Sequence, residues 1–172
     1  SRGMVVATTG SLDPNYMLDC SFIYLASNTK ALKHRARVRV HLGTAEIMGR
    51  VSLLDRDELQ PGEEAYIQLL LEEPVAVWSG DHYVIRSYSP VATIGGGEVL
   101  GNQSPVKRKR VTENDREYNS SALSILEKGT IEERILLLLS ESGMKGLTFD
   151  ELGIRLGIFG KHLEKVLREP LS

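Results

Sequence analysis

The stretch Arg35-Ala36-Arg37-Val38-Arg39-Val40-His41 alternates charged and apolar residues with a period of two. Successive side chains of an extended strand point to opposite faces, so the three arginines and His41 share one face, while Ala36, Val38 and Val40 share the other. The segment is a strand with one face on a core and a basic stripe on its outside. Working outward, short β-type runs cover residues 4–8, 17–25, 36–42, 47–54, 65–71, 75–78, 83–87 and 91–100. Asp13-Pro14-Asn15, Leu42-Gly43-Thr44, Gln60-Pro61-Gly62, Glu73-Pro74 and Ser79-Gly80-Asp81 punctuate them with turn chemistry. This spacing suits an all-β sandwich or barrel, and a closed antiparallel barrel is the simplest arrangement that hides the strand edges.

The pattern stops after residue 101. Asn102-Gln103-Ser104-Pro105 followed by Lys107-Arg108-Lys109-Arg110 reads as a linker carrying a positive cluster, a joint able to rearrange. Thr112 caps a helix over 113–126, with Glu113 and Asp115 in its first turn and Gly129 beyond its end. Thr130 caps a second helix over 131–139. Thr148 and Glu151 form a capping box for a third, which the Gly157-Ile158-Phe159-Gly160 turn separates from a short helix over 161–168. The expected organisation is a β-barrel over 1–101, a basic linker and connecting helix over 102–129, and a helix-turn-helix unit over 130–172 that stops before a β-hairpin wing.

Several chemistries find no support in the sequence. P-loop phosphate hydrolysis needs G-x-x-x-x-G-K-[ST], and no such string occurs. Gly95-Gly96-Gly97 lies inside a β run and no helix follows it, so a bulge or close strand packing explains it better than phosphate binding. His34, His41, His82 and His162 have no second ligand at zinc spacing, and no nucleophile pairs with a base. Asp55, Asp57 and Glu58 precede a Pro-Gly turn and read as solvated surface. Cys20 is the single cysteine, which excludes an internal disulfide and fits a reducing, cytoplasmic compartment. No segment approaches a membrane span and Ser1-Arg2-Gly3 lacks the layout of a signal peptide, so a soluble, cytoplasmic monomer without membrane contact is expected. A net charge of −2 confines any nucleic-acid contact to local basic clusters. The stripe of Arg35, Arg37 and Arg39, joined by Lys33 and Arg86, is one such cluster, because guanidiniums on a rigid strand can grip successive phosphates. Lys107, Arg108, Lys109 and Arg110 are a second. For both, the competing reading is an ordinary charged outer face.

Residues 2–12, Arg2-Gly3-Met4-Val5-Val6-Ala7-Thr8-Thr9-Gly10-Ser11-Leu12, resemble the start of the third domain of translational GTPases such as elongation factor Tu. With His41-Leu42-Gly43-Thr44-Ala45-Glu46, Leu53-Leu54-Asp55-Arg56, Glu58-Leu59-Gln60-Pro61-Gly62, Gln68-Leu69-Leu70-Leu71-Glu72 and Tyr88-Ser89-Pro90 leading into Thr93-Ile94-Gly95-Gly96-Gly97, the resemblance narrows to bacterial selenocysteine-specific elongation factors. It implies a Greek-key barrel followed by a linker and winged-helix modules, in a fragment that performs no chemistry alone. It implies selenocysteinyl-tRNA and the ribosome as partners, with a selenoprotein messenger hairpin held by modules further downstream. GTP and Mg²⁺ are implied only for a GTPase domain outside these residues. Arg86-Ser87-Tyr88 falls where related factors place tRNA-contacting residues, so backbone contacts to tRNA are expected at Lys33, Arg35, Arg37, Arg39, Arg86, Ser87 and Tyr88. RNA contact in the linker is expected at Lys107 to Arg110. Two rival readings stand beside this one. The first is a DNA-binding regulator with a dimerising or sensing barrel, disfavoured by Glu164 and Glu169 among the basic residues of the 161–168 helix region. The second treats the helices as a docking element or spacer.

Overall fold

A computed structural model describes residues 14–102, 107–143 and 146–158. The β run at 4–8 and the helix at 161–168 lie outside the described residues. The barrel elements are β1 (Asn15–Tyr24), β2 (Leu32–Lys33), β3 (Ala36–Leu42), β4 (Ala45–Leu53), β5 (Glu58–Leu59), β6 (Glu64–Val75), β7 (His82–Ser87) and β8 (Thr93–Gly101). Six of them close a barrel in the order β1-β6-β4-β3-β7-β8, with every pairing antiparallel. The strands β3, β4 and β6 follow one another as neighbours, and β7 returns beside β3, which is a Greek key. The remaining pair, β2 and β5, form a separate two-stranded ribbon.

The alternating stretch behaves as its period requires. Val38, Val40 and Leu42 are buried, and they join Leu18, Cys20, Phe22, Val51, Ile67, Leu69, Ile85 and Val99 in one continuous core. Gly43, at φ 60°, turns β3 into β4 and fixes their register at Leu42 opposite Ala45. The glycine run is a packing device. A Cβ at Gly97 would lie 2.0 Å from the Ser21 carbonyl oxygen, and one at Gly95 would lie 2.4 Å from that of Ile23 and 2.7 Å from the Phe22 ring.

Two details differ from expectation. Glu73-Pro74 is not a turn, and 75–78 is not a strand of its own, because β6 runs on to Val75. Between the pairs Met17–Leu70 and Asn15–Val75 the β6 strand carries extra residues, which leaves Pro74 in the irregular end of the ladder, where its missing N–H costs no pairing. The short strands β2 and β5, of two residues each, carry no readable period.

Three helices follow: α1 (Glu113–Lys128), α2 (Ile131–Ser142) and α3 (Phe149–Leu156). Each opens on a threonine with a full capping box, in the pairs Thr112 with Asp115, Thr130 with Glu133, and Thr148 with Glu151. Their inner faces share a second core with the barrel, in which Leu54 and Leu100 meet Ala122, Leu123, Leu126, Ile135, Leu138 and Leu152.

The linker differs most from its sequence reading, since residues 107–110 are stapled down. Arg108 is buried and points inward. It donates from Nε and Nη2 to Asp19 of β1, at 2.8 and 2.9 Å, and from Nη1 and Nη2 to Glu141 of α2, at 2.9 and 3.1 Å. The Arg108 N–H donates to Gln68 Oε1 at 2.9 Å, and Tyr118 donates to Glu141 at 2.6 Å. Burial works against the Arg108 charge, but the bonds to Asp19 and Glu141 outweigh it and raise its pKa. Arg110 donates to the carbonyls of Leu53 and Arg56, each at 2.7 Å, and to Asp57 at 2.6 Å. Asn119 bridges the carbonyls of Leu54 and Lys109. The expectation of a loose basic joint is therefore corrected over these residues.

Candidate nucleic-acid interface

Register builds the outer face of β3. Arg37 stands opposite Arg50 of β4, while Arg39 stands between Met48 of β4 and Arg86 of β7. Four arginines thus share one patch of the barrel wall. Like charges across strands repel, and neighbouring carboxylates offset part of that repulsion. Arg37 makes a two-pronged pair with Glu72 of β6, from Nε at 2.9 Å and Nη2 at 3.1 Å. Arg39 donates to Glu46 of β4 at 3.3 Å, and His41 Nε2 lies 3.9 Å from the same carboxylate. Hydrogen bonding to Arg37 holds the Glu72 carboxyl below its ordinary range.

The loop between β7 and β8 adds an aromatic ring to this patch. Ser87 closes the loop, donating to the carbonyls of Pro90 and Ala92 and accepting from the Ala92 N–H. The loop contains a cis Ser89–Pro90 bond. Tyr88 projects from it, 47% exposed. The guanidinium carbons of Arg37 and Arg39 sit 4.9 and 5.4 Å from its ring centroid, within cation–π range. The Nε atoms of Arg39 and Arg86 have no hydrogen-bond partner among the described residues. The face therefore presents an exposed ring with two guanidiniums stacked on it.

Of the expected site residues, Arg37, Arg39, Arg86, Ser87 and Tyr88 come together. Lys33 does not join them: it belongs to the β2–β5 ribbon and pairs with Glu58. Arg35 precedes β3 at φ 73°, a left-handed conformation that breaks the alternation, and its carbonyl accepts from Arg50 at 2.9 Å. In the linker, Lys107 and Lys109 are exposed. Arg108, buried in its carboxylate clamp, is corrected as an RNA contact, and the guanidinium of Arg110 is taken up by the 53–57 loop. Asp57, read as solvated surface, is held by Arg110 and by Arg116, and these bonds lower its pKa.

Sequence reading missed Arg50, Glu46 and Glu72. A signal for two of them was present: with Leu42 opposite Ala45 across a two-residue turn, counting back along the hairpin sets Arg37 against Arg50 and His41 against Glu46. Glu72 lies on β6, which is not consecutive with β3, and the pairing of β6 with β4 brings it near.

Residues 20–106, about half of the chain, match the family described as the selenocysteine-specific elongation factor, beta-barrel domain. The chain is 36% identical over 167 residues to a selenocysteine-specific elongation factor of Desulfomicrobium baculatum, an alignment that covers 97% of this chain and 25% of that protein. It spans about a quarter of that relative's length. The closed barrel, its glycine-packed seam and the sequence match agree, and the chain belongs to the family of selenocysteine-specific elongation factors.

Proposed function

We propose that this chain is the portion of a selenocysteine-specific translation elongation factor in which the barrel helps to position selenocysteinyl-tRNA. The three helices begin the arm that joins the GTPase body to modules holding the selenoprotein messenger hairpin. The observation that carries this reading is Tyr88 stacked under Arg37 and Arg39, with Arg50 and Arg86 on the same wall. Guanidiniums grip phosphates, and an exposed ring with cations above it suits a ribose or an unstacked base. A-form RNA offers phosphates and 2′-hydroxyls before readable base edges, so the wall would hold the tRNA body and leave its identity to contacts elsewhere.

In this proposal GTP and Mg²⁺ act in a GTPase domain outside these residues, and the ribosome receives the loaded factor. Binding of selenocysteine tRNA to this chain tests the reading. Tyr88→Ala is expected to weaken it by roughly five- to a hundredfold, the range of one stacking contact. Unchanged affinity in a folded Tyr88→Ala protein would remove the ring from the interface.

A further inference from the structure

A second cationic site lies away from the tRNA wall, in a cleft of about 130 Å³ where the turn between β6 and β7 meets the helices. Arg134 of α2 and Arg155 of α3 both line it, beside Ser79 and Gly80 of the turn. Arg155 is only 8% exposed, and its Nε is buried with no hydrogen-bond partner among the described residues. The Nε of Arg134 is likewise buried without an acceptor. A buried guanidinium normally has its N–H groups satisfied, because leaving them bare costs the desolvation of a charged donor.

The nearby carboxylates do not supply the missing acceptor. Asp19 and Glu141 act on Arg155 across space, but their oxygens are engaged by Arg108 and Tyr118. Glu127 and Glu98 also line the cleft; Glu127 accepts from the Tyr66 hydroxyl at 2.7 Å, and the Glu98 side chain is half exposed, 4.0 Å from His82. Burial is accordingly the largest influence on Arg155 and lowers its pKa. The backbone there is fixed by the barrel. Ser79 donates to the Arg155 carbonyl at 3.1 Å, and the Asn102 amide donates to that of Ile154 at 3.5 Å. The backbone that carries Arg155 is therefore set in place by the docking of α3 on the barrel.

We propose that this cleft binds a phosphate-class oxyanion through Arg134 and Arg155. The volume suits a single tetrahedral group, which can accept from both guanidiniums at once. Two sources share this chemistry, free inorganic phosphate and a phosphodiester of an RNA backbone, and the test separates them.

The 172-residue chain is titrated with inorganic phosphate at constant ionic strength, and binding is read from the phosphorus NMR linewidth. Saturable binding is expected, weakened about tenfold in Arg134→Gln, the loss of one charge-assisted bond. Arg155→Gln is expected to abolish binding and, by removing a buried charge without an acceptor, to raise the thermal midpoint in phosphate-free buffer. An oligoribonucleotide without terminal phosphates is then added. Displacement of phosphate identifies a backbone phosphodiester as the ligand, and persistence of the phosphate signal identifies the free ion. Phosphate also stabilises proteins generally by exclusion from their surface, so the variants provide the decisive comparison. Absence of saturable binding by the folded wild-type chain, or equal binding by wild type and Arg134→Gln, would overturn the site.

Discussion

Arg37 both stacks on Tyr88 and engages Glu72, and these contacts have opposite consequences for RNA binding. The ring fixes the guanidinium over the exposed loop, while the carboxylate occupies the two N–H groups that a phosphate would use. An incoming phosphate must exchange with Glu72. Glu72→Gln is therefore expected to tighten RNA binding by roughly two- to fivefold, the scale of a surface ion pair, when affinity for selenocysteine tRNA is measured at fixed salt. Weaker binding in that variant would show that Glu72 serves mainly to orient the arginine. His34 supplies the pH dependence. Its Nδ1 accepts from the Leu53 N–H at 3.1 Å, and burial, with Arg110 and Arg35 nearby, lowers its pKa from 6.5 to about 4. The folded state thus binds this proton less readily than the unfolded chain, so the stabilisation is complete above pH 6.5 and is lost as pH falls toward 4. Thermal midpoints across that window should fall in the wild type and flatten in His34→Asn. Charge alternation shows which face of β3 is basic and the hairpin register gives Glu46, but Glu72 depends on strand order and does not stand out in the sequence.

At the scale of elements, β1 and β8 approach so closely that Gly95 and Gly97 have no room for a side chain. Gly97→Ala would drive a methyl group into the Ser21 carbonyl, and a loss of about 2–4 kcal/mol in urea unfolding is expected, as for overpacking with a backbone shift. Gly43→Ala, with nothing within 4 Å of its new methyl, tests a separate effect, the cost of a left-handed φ. The strands were legible wherever a period of two or a turn residue marked them, and the helices wherever a threonine cap preceded an apolar run. Legibility failed at Pro74, whose usual role as a strand stop is overridden by an irregular, bulged stretch of its own strand, and at the two-residue strands. The cap signals succeeded because a capping box is local chemistry: Thr130 and Glu133 need only each other.

At the scale of the molecule, the barrel and the helices are joined by the buried cluster of Arg108, Asp19, Glu141, Tyr118 and Gln68. Composition alone made residues 107–110 look like a solvated joint, since four consecutive basic residues rarely have a buried member. The carboxylates that take Arg108 inward lie 89 residues before it and 33 after it, beyond the reach of any local pattern. Arg108→Ala would remove the cation that neutralises two buried carboxylates. It is expected to cost about 3–5 kcal/mol in urea unfolding, less when Glu141→Gln is already present because the two changes share one interaction. This clamp opposes motion of the helices relative to the barrel at residues 107–110.

The proposal that the arginine–tyrosine wall holds tRNA is tested most directly by the salt dependence of selenocysteine tRNA binding to this chain, compared with its Arg37→Ala/Arg39→Ala variant. If both guanidiniums neutralise phosphates, the slope of log affinity against log salt should flatten by about 1.4 to 1.8 in the variant, with weaker binding at every salt concentration. Identical slopes in two folded proteins would contradict the account and leave the arginine–tyrosine wall a feature of the barrel surface alone.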